Sequence, residues 1–91
     1  MPILKLDRGA ERLLNKWNKK DRDMLERYEK TRAEFDKDYT SNKLDFKKHQ
    51  SLSGVYKIRL LGKNDGRRLM LMPDSNKQIY LVFDIIKHDE I

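Results

Sequence analysis

Near residue 42 the spacing of apolar residues changes from a helical period to a strand period, which limits the chain to a helical half followed by a sheet half. Before the switch, Ala10, Leu13, Leu14 and Trp17 fall at i, i+3, i+4 and i+7, one apolar face of a helix. Asn18-Lys19-Lys20 interrupts that face, and Asp21 is a good N-cap for a second helix. Met24, Leu25, Tyr28 and Phe35 then resume helical spacing, with Thr31 and Arg32 filling the turn between. Glu26 and Lys30 stand at i, i+4 in the favourable order. The expectation is a helical hairpin over residues 8–37. Ahead of it, residues 3–7 read as a short first strand, with Asp7 placed to cap the first helix.

Asp38-Tyr39-Thr40-Ser41-Asn42 is a polar loop, and period 2 follows it. Residues 55–61 alternate Tyr56, Ile58 and Leu60 with Lys57 and Arg59. Gly62-Lys63-Asn64-Asp65-Gly66 is a hairpin turn, and residues 67–72 form the next strand. Pro73-Asp74 closes that strand, and Ser75-Asn76-Lys77 turns the chain again. Residues 79–87, IYLVFDIIK, are apolar almost throughout, which suits a central strand covered on both faces or nearly so. Residues 44–48 are a further strand candidate. The predicted fold class is α+β: a strand, a helical hairpin and then an antiparallel sheet, in the order β-α-α-β-β-β.

At 91 residues the chain makes one domain, 1–91, with a thin core. The 40% of charged residues would suit a disordered chain, but the apolar residues are too strongly patterned for that. There is no cysteine, so disulfides and a thiol nucleophile are excluded, and two histidines alone make a poor zinc set. The opening MPILKLDRGAERLL does not read as a signal peptide and no later run approaches a membrane span, so a cytoplasmic protein without membrane partners is expected.

The net charge of +6 is unevenly spread. Residues 1–42 carry 11 basic and 9 acidic groups. Residues 43–68 carry eight basic groups (Lys43, Lys47, Lys48, Lys57, Arg59, Lys63, Arg67, Arg68) against Asp45 and Asp65. A local excess of this size favours a polyanionic partner, whether nucleic acid or an acidic protein. If Tyr56, Ile58 and Leu60 face the helices, Lys57 and Arg59 point together to the other side, roughly 6–7 Å apart. Like charges at that range disfavour each other's protonated form, which lowers a lysine's pKa, while arginine stays charged. Such a pair suits a phosphate and the charge that grows on it. The bland alternative is a solvated strand face. No GxSxG, phosphate loop or HExxH is present, and Asp84 is the only acid within the last strand. The surviving chemistry is phosphate chemistry run by cations and one histidine.

Several segments together resemble the RelE-type toxins of the RelE/ParE superfamily. They are Tyr56-Lys57-Ile58-Arg59-Leu60, Gly66-Arg67-Arg68-Leu69, and the strand at 79–87 ending in His88-Asp89-Glu90-Ile91. Upstream, RGAERLLNKW at 8–17 is similar to the first helix of these toxins, and Leu52-Ser53-Gly54 to the small turn before a strand. The resemblance implies a toxin of a toxin–antitoxin pair that cuts messenger RNA, in many members on the ribosome, without cofactor or metal. The RNA's own 2′-OH attacks and displaces the 5′-oxygen of the next nucleotide. By position, Lys57 is then the candidate general base and Arg59 the holder of the phosphate. Arg68 stabilises the pentavalent phosphate, and His88 is the general acid. Lys47, Lys48, Arg67 and Lys87 are the further cations expected to touch RNA, and a cognate antitoxin is the expected protein partner. Many members place a base-stacking tyrosine after the segment matching 88–91, and this sequence has none there. Stacking is then expected from elsewhere, with Tyr39 and Tyr80 as candidates, or activity is reduced. Two other functions share the reading: a ParE-like toxin that inhibits gyrase, and a non-catalytic RNA- or protein-binding module.

Overall fold

The computed structural model describes residues 2–20 and 22–87. Strand β1 (Ile3–Leu6) enters helix α1 (Arg8–Lys20) through Asp7. The Asp7 carboxylate accepts a hydrogen bond from Ala10 N–H at 2.8 Å, and its carbonyl accepts one from Glu11 N–H at 2.9 Å, the expected N-cap. Helix α2 (Met24–Lys37) returns antiparallel to α1. Its N-cap residue is Asp23, whose side chain makes no cap bond. The start of α2 is held instead by Asn18, whose amide oxygen accepts from Leu25 N–H at 3.2 Å. Asp21, expected as the cap, lies outside the described residues.

The apolar stripe of α2 is shifted from the expected one. Met24, Tyr28, Thr31 and Phe35 are buried, and so is Arg27, whereas Leu25 is 43% exposed. Apolar spacing alone does not separate Leu25 from Met24, because adjacent residues stand about 100° apart around a helix and only one can face the sheet.

The sheet has five strands in the order β1-β5-β4-β3-β2, with β2 at Lys47–Lys48, β3 at Tyr56–Arg59, β4 at Arg67–Pro73 and β5 at Ile79–Lys87. All pairs are antiparallel except β1 with β5. The helices cover one face, against Leu4, Ile58, Leu69, Leu71, Tyr80, Val82 and Ile85, which join Ala10, Leu14, Met24, Tyr28 and Phe35 in one core. β5 is internal to the sheet, as expected, but only one of its faces is covered by helices. Its unbroken apolar run has a local cause. A bulge opposite Met70 and Leu71 places Val82 and Ile85, three residues apart, both in the core. Residues 44–48 are strand only at Lys47 and Lys48; Leu44 is buried in the core, and Asp45 turns the chain with a positive φ of 51°. Among the described residues, no helix is long and apolar enough to cross a membrane.

Candidate phosphate-binding site

Register places the candidate cations. Ile58 pairs with Leu69 and both are fully buried under the helices. Their neighbours, Lys57 and Arg59 on β3 and Arg68 on β4, therefore turn to the open face, and Arg59 stands directly across from Arg68. Lys47 on β2 stands directly across from Lys57 and joins the same face. Four cations from three strands are thus gathered on the side of the sheet away from the helices. His88, the fourth member of the expected catalytic set, lies outside the described residues.

Asp45 sits among these cations and was not singled out from the sequence. One carboxylate oxygen accepts from Arg68 Nη1 at 2.9 Å, lies 3.2 Å from Lys47 Nζ and 3.9 Å from Arg59 Nη2. Partial burial acts to raise the Asp45 pKa, but hydrogen bonds and charge from Arg68 and Lys47 outweigh it, and the net shift is downward. The carboxylate is therefore ionised and holds Arg68, a residue only 9% exposed, in place. The turn that brings it there has a simple origin: aspartate tolerates a left-handed backbone better than most residues. Lys57 makes no ion pair among the described residues. The only sequence sign of Asp45's role was its isolation as one of two acids in the basic run 43–68.

The other expected RNA contacts are distributed differently. Lys48 pairs with Tyr56, and Arg67 with Lys87, so these alternate to the helix side of the sheet. Arg67 is engaged there: its guanidinium lies 4.9 Å from the Trp17 ring centroid and donates to Asp65 at 3.0 Å. Tyr39 and Tyr80, the candidate stacking residues, are built into an aromatic cluster with Phe35, Phe46 and Tyr56 under the helices. Neither offers a ring to the open face. His49 has a local task, accepting from Ser51 and Leu52 N–H through Nδ1 at 3.0 and 3.1 Å.

A second feature missed in the sequence supports the site from behind. Arg27 of α2, 2% exposed, reaches the β3–β4 turn and donates to Asp65 through both terminal nitrogens, at 2.8 and 2.9 Å. It also donates to the carbonyls of Leu60, Leu61 and Lys63. Thr31 completes the join, accepting from Leu61 N–H at 2.9 Å. The hairpin carrying Arg59 and Arg68 is thereby fastened to α2.

No protein-family model and no curated protein matches this sequence. Among solved structures, a chain of the archaeal RelE–RelB complex from Pyrococcus horikoshii OT3 superposes with a TM-score of 0.68. The match covers 99% of this chain and 98% of that one, at 12% identity. The fold is RelE-like. A RelE-like architecture agrees with the element order read from the hydrophobic period. At this identity the likeness is one of backbone path, so the meaning of the cationic face rests on its own side chains.

Proposed function

We propose that this protein is the toxin of a type II toxin–antitoxin pair and acts as an endoribonuclease on messenger RNA, on the ribosome. The observation that carries the reading is the gathering of Lys57, Arg59 and Arg68 on one open sheet face of a RelE-like fold. Arg59 and Arg68 bind the scissile phosphate and offset charge growing on its oxygens. Lys57 accepts the proton of the 2′-OH as that oxygen attacks phosphorus. The P–O5′ bond breaks, and His88 protonates the departing 5′-oxygen. The products are a 2′,3′-cyclic phosphate and a free 5′-OH, and no water or metal is consumed. An antitoxin partner is supported by the likeness to a chain from a RelE–RelB complex.

The test is incubation of the purified protein with messenger RNA, with and without ribosomes, and analysis of the new ends. Cyclic phosphate ends are expected, and chelator should have no effect on cleavage in an assay that does not itself need metal, such as one without ribosomes. Single Lys57→Ala and Arg68→Ala changes should slow cleavage roughly 10–1000-fold, as loss of acid–base or charge-stabilising groups does. Full cleavage by both variants, or no cleavage together with inhibition of gyrase, would reject the ribonuclease reading.

A further inference from the structure

Beside the open-face cluster lies a second cationic feature. An open cleft of about 540 Å³ runs between α2 and the β3–β4 turn. Four of its lining side chains are cations: Lys30 from α2, Lys43 from the loop before β2, Arg59 from β3 and Lys63 from the turn. Among the described residues, no carboxylate lines it. Its wall includes Leu61, Gly62 and Asn64 from the chain between β3 and β4. A neighbouring hollow shares Lys30, Gly62 and Lys63 with the cleft and adds Asp23, Glu26 and Arg27, and Asp23 lies 3.6 Å from Lys63. The two acids thus lie beyond Lys30 and Lys63, while Arg59 joins the cleft to the open face.

We propose that this cleft is a second phosphate subsite, which takes the backbone of the RNA strand beyond the scissile nucleotide. The inference rests on the ribonuclease reading and extends it along the strand. Arg59 is the shared element: it lies near Asp45 in the open-face cluster and also lines the cleft. A single strand leaving the scissile phosphate past Arg59 meets Lys30 and Lys43 next. Neither lysine makes an ion pair among the described residues, and both are exposed. Lysines on mobile stems hold phosphates without reading bases, so the subsite adds affinity but no sequence preference. An acidic peptide fits less well. The large exposed apolar residues, Ile3, Leu25, Leu52, Met72 and Leu81, all lie outside the cleft, which leaves an amphipathic segment few anchors in it.

The experiment is binding of 2′-O-methyl RNA, which lacks the attacking hydroxyl, followed by fluorescence anisotropy over a range of salt. Oligomers of about four and about ten nucleotides are compared, lengths that bracket typical single-strand sites. In the intact protein the longer oligomer should bind more tightly. A Lys30→Ala, Lys43→Ala double variant should keep its affinity for the short oligomer and lose about tenfold for the long one. Its salt slope on the long oligomer should fall by about 0.7 for each phosphate that is no longer neutralised. The Lys→Arg pair at the same positions should restore both. Equal affinity of the double variant and the intact protein for the long oligomer would overturn the subsite. So would equal loss on both oligomers, or poly-glutamate binding that depends on the two lysines as strongly as long RNA does. Cleavage by the intact protein with no length effect would sink the subsite and leave the ribonuclease reading standing. A length effect without any cleavage would do the reverse.

Discussion

Asp45 changes what the cationic face is. Without it, Lys47, Arg59 and Arg68 would be an unshielded cluster; with it, they share one ionised carboxylate. A phosphodiester arriving at Arg68 must compete with that carboxylate. Asp45→Asn should therefore bind 2′-O-methyl RNA more tightly, by up to about tenfold, the worth of about 1.4 kcal/mol. Anisotropy titration reads this directly, and unchanged or weaker binding would mean that Asp45 and phosphate do not compete. The same variant should be less stable above the ordinary carboxylate pKa, where the wild-type carboxylate is charged and paired, and the difference should shrink as pH falls through the lowered folded value. The cations of the site were legible in the sequence because strand alternation alone sends Lys57 and Arg59 to one side. Asp45 was not, because its placement depends on a left-handed turn and on Arg68 of a strand distant in sequence.

Elements show the same division. The two helices and the three later strands follow from hydrophobic period, and the Asp7 cap follows from residue type. What period could not show was which polar residues are buried. Arg27 reads as an ordinary surface position of a charged helix, yet it carries the join between α2 and the β3–β4 turn. Its partner Asp65 has a pKa held down to about 2, chiefly by the hydrogen bond from Arg27. A carboxylate depressed in the folded state contributes stability above its unfolded value near 3.8, and that contribution is lost as pH falls through about 2. Urea unfolding should show a loss of stability between those values, and Asp65→Asn should flatten it. At neutral pH, Asp65→Ala should cost about 3 kcal/mol, the low end for breaking a buried pair, because Asp65 is about one-third exposed. Gly62→Ala tests the same join from the turn. A Cβ there would stand 2.7 Å from Arg27 Cγ on a backbone with φ of 98°. That variant should unfold at lower temperature, and an unchanged midpoint would show that Arg27 can yield without loss.

At the scale of the whole molecule, the charge is divided along the chain. Residues 1–42 are nearly balanced, and the excess lies in residues 43–68, most of whose cations stand on the open face, its bordering cleft or the β3–β4 turn, with Lys48 and Arg67 on the helix side. A protein partner that covers this basic segment should accordingly be acidic, and its affinity should fall as salt rises from low to physiological strength. Calorimetry at two salt concentrations measures this, and a partner that binds with no salt dependence would count against an electrostatic fit. The parallel pairing of β1 with β5 has a consequence of another kind. Ile3 through Leu6 are hydrogen-bonded to a strand that begins at Ile79, and Leu14, Tyr28 and Phe35 share their core with Tyr80, Val82 and Ile85. During synthesis the helical hairpin must therefore wait, its apolar stripe uncovered, until the last strand has left the ribosomal tunnel. The sheet cannot close over the helices before β5 is free to pair.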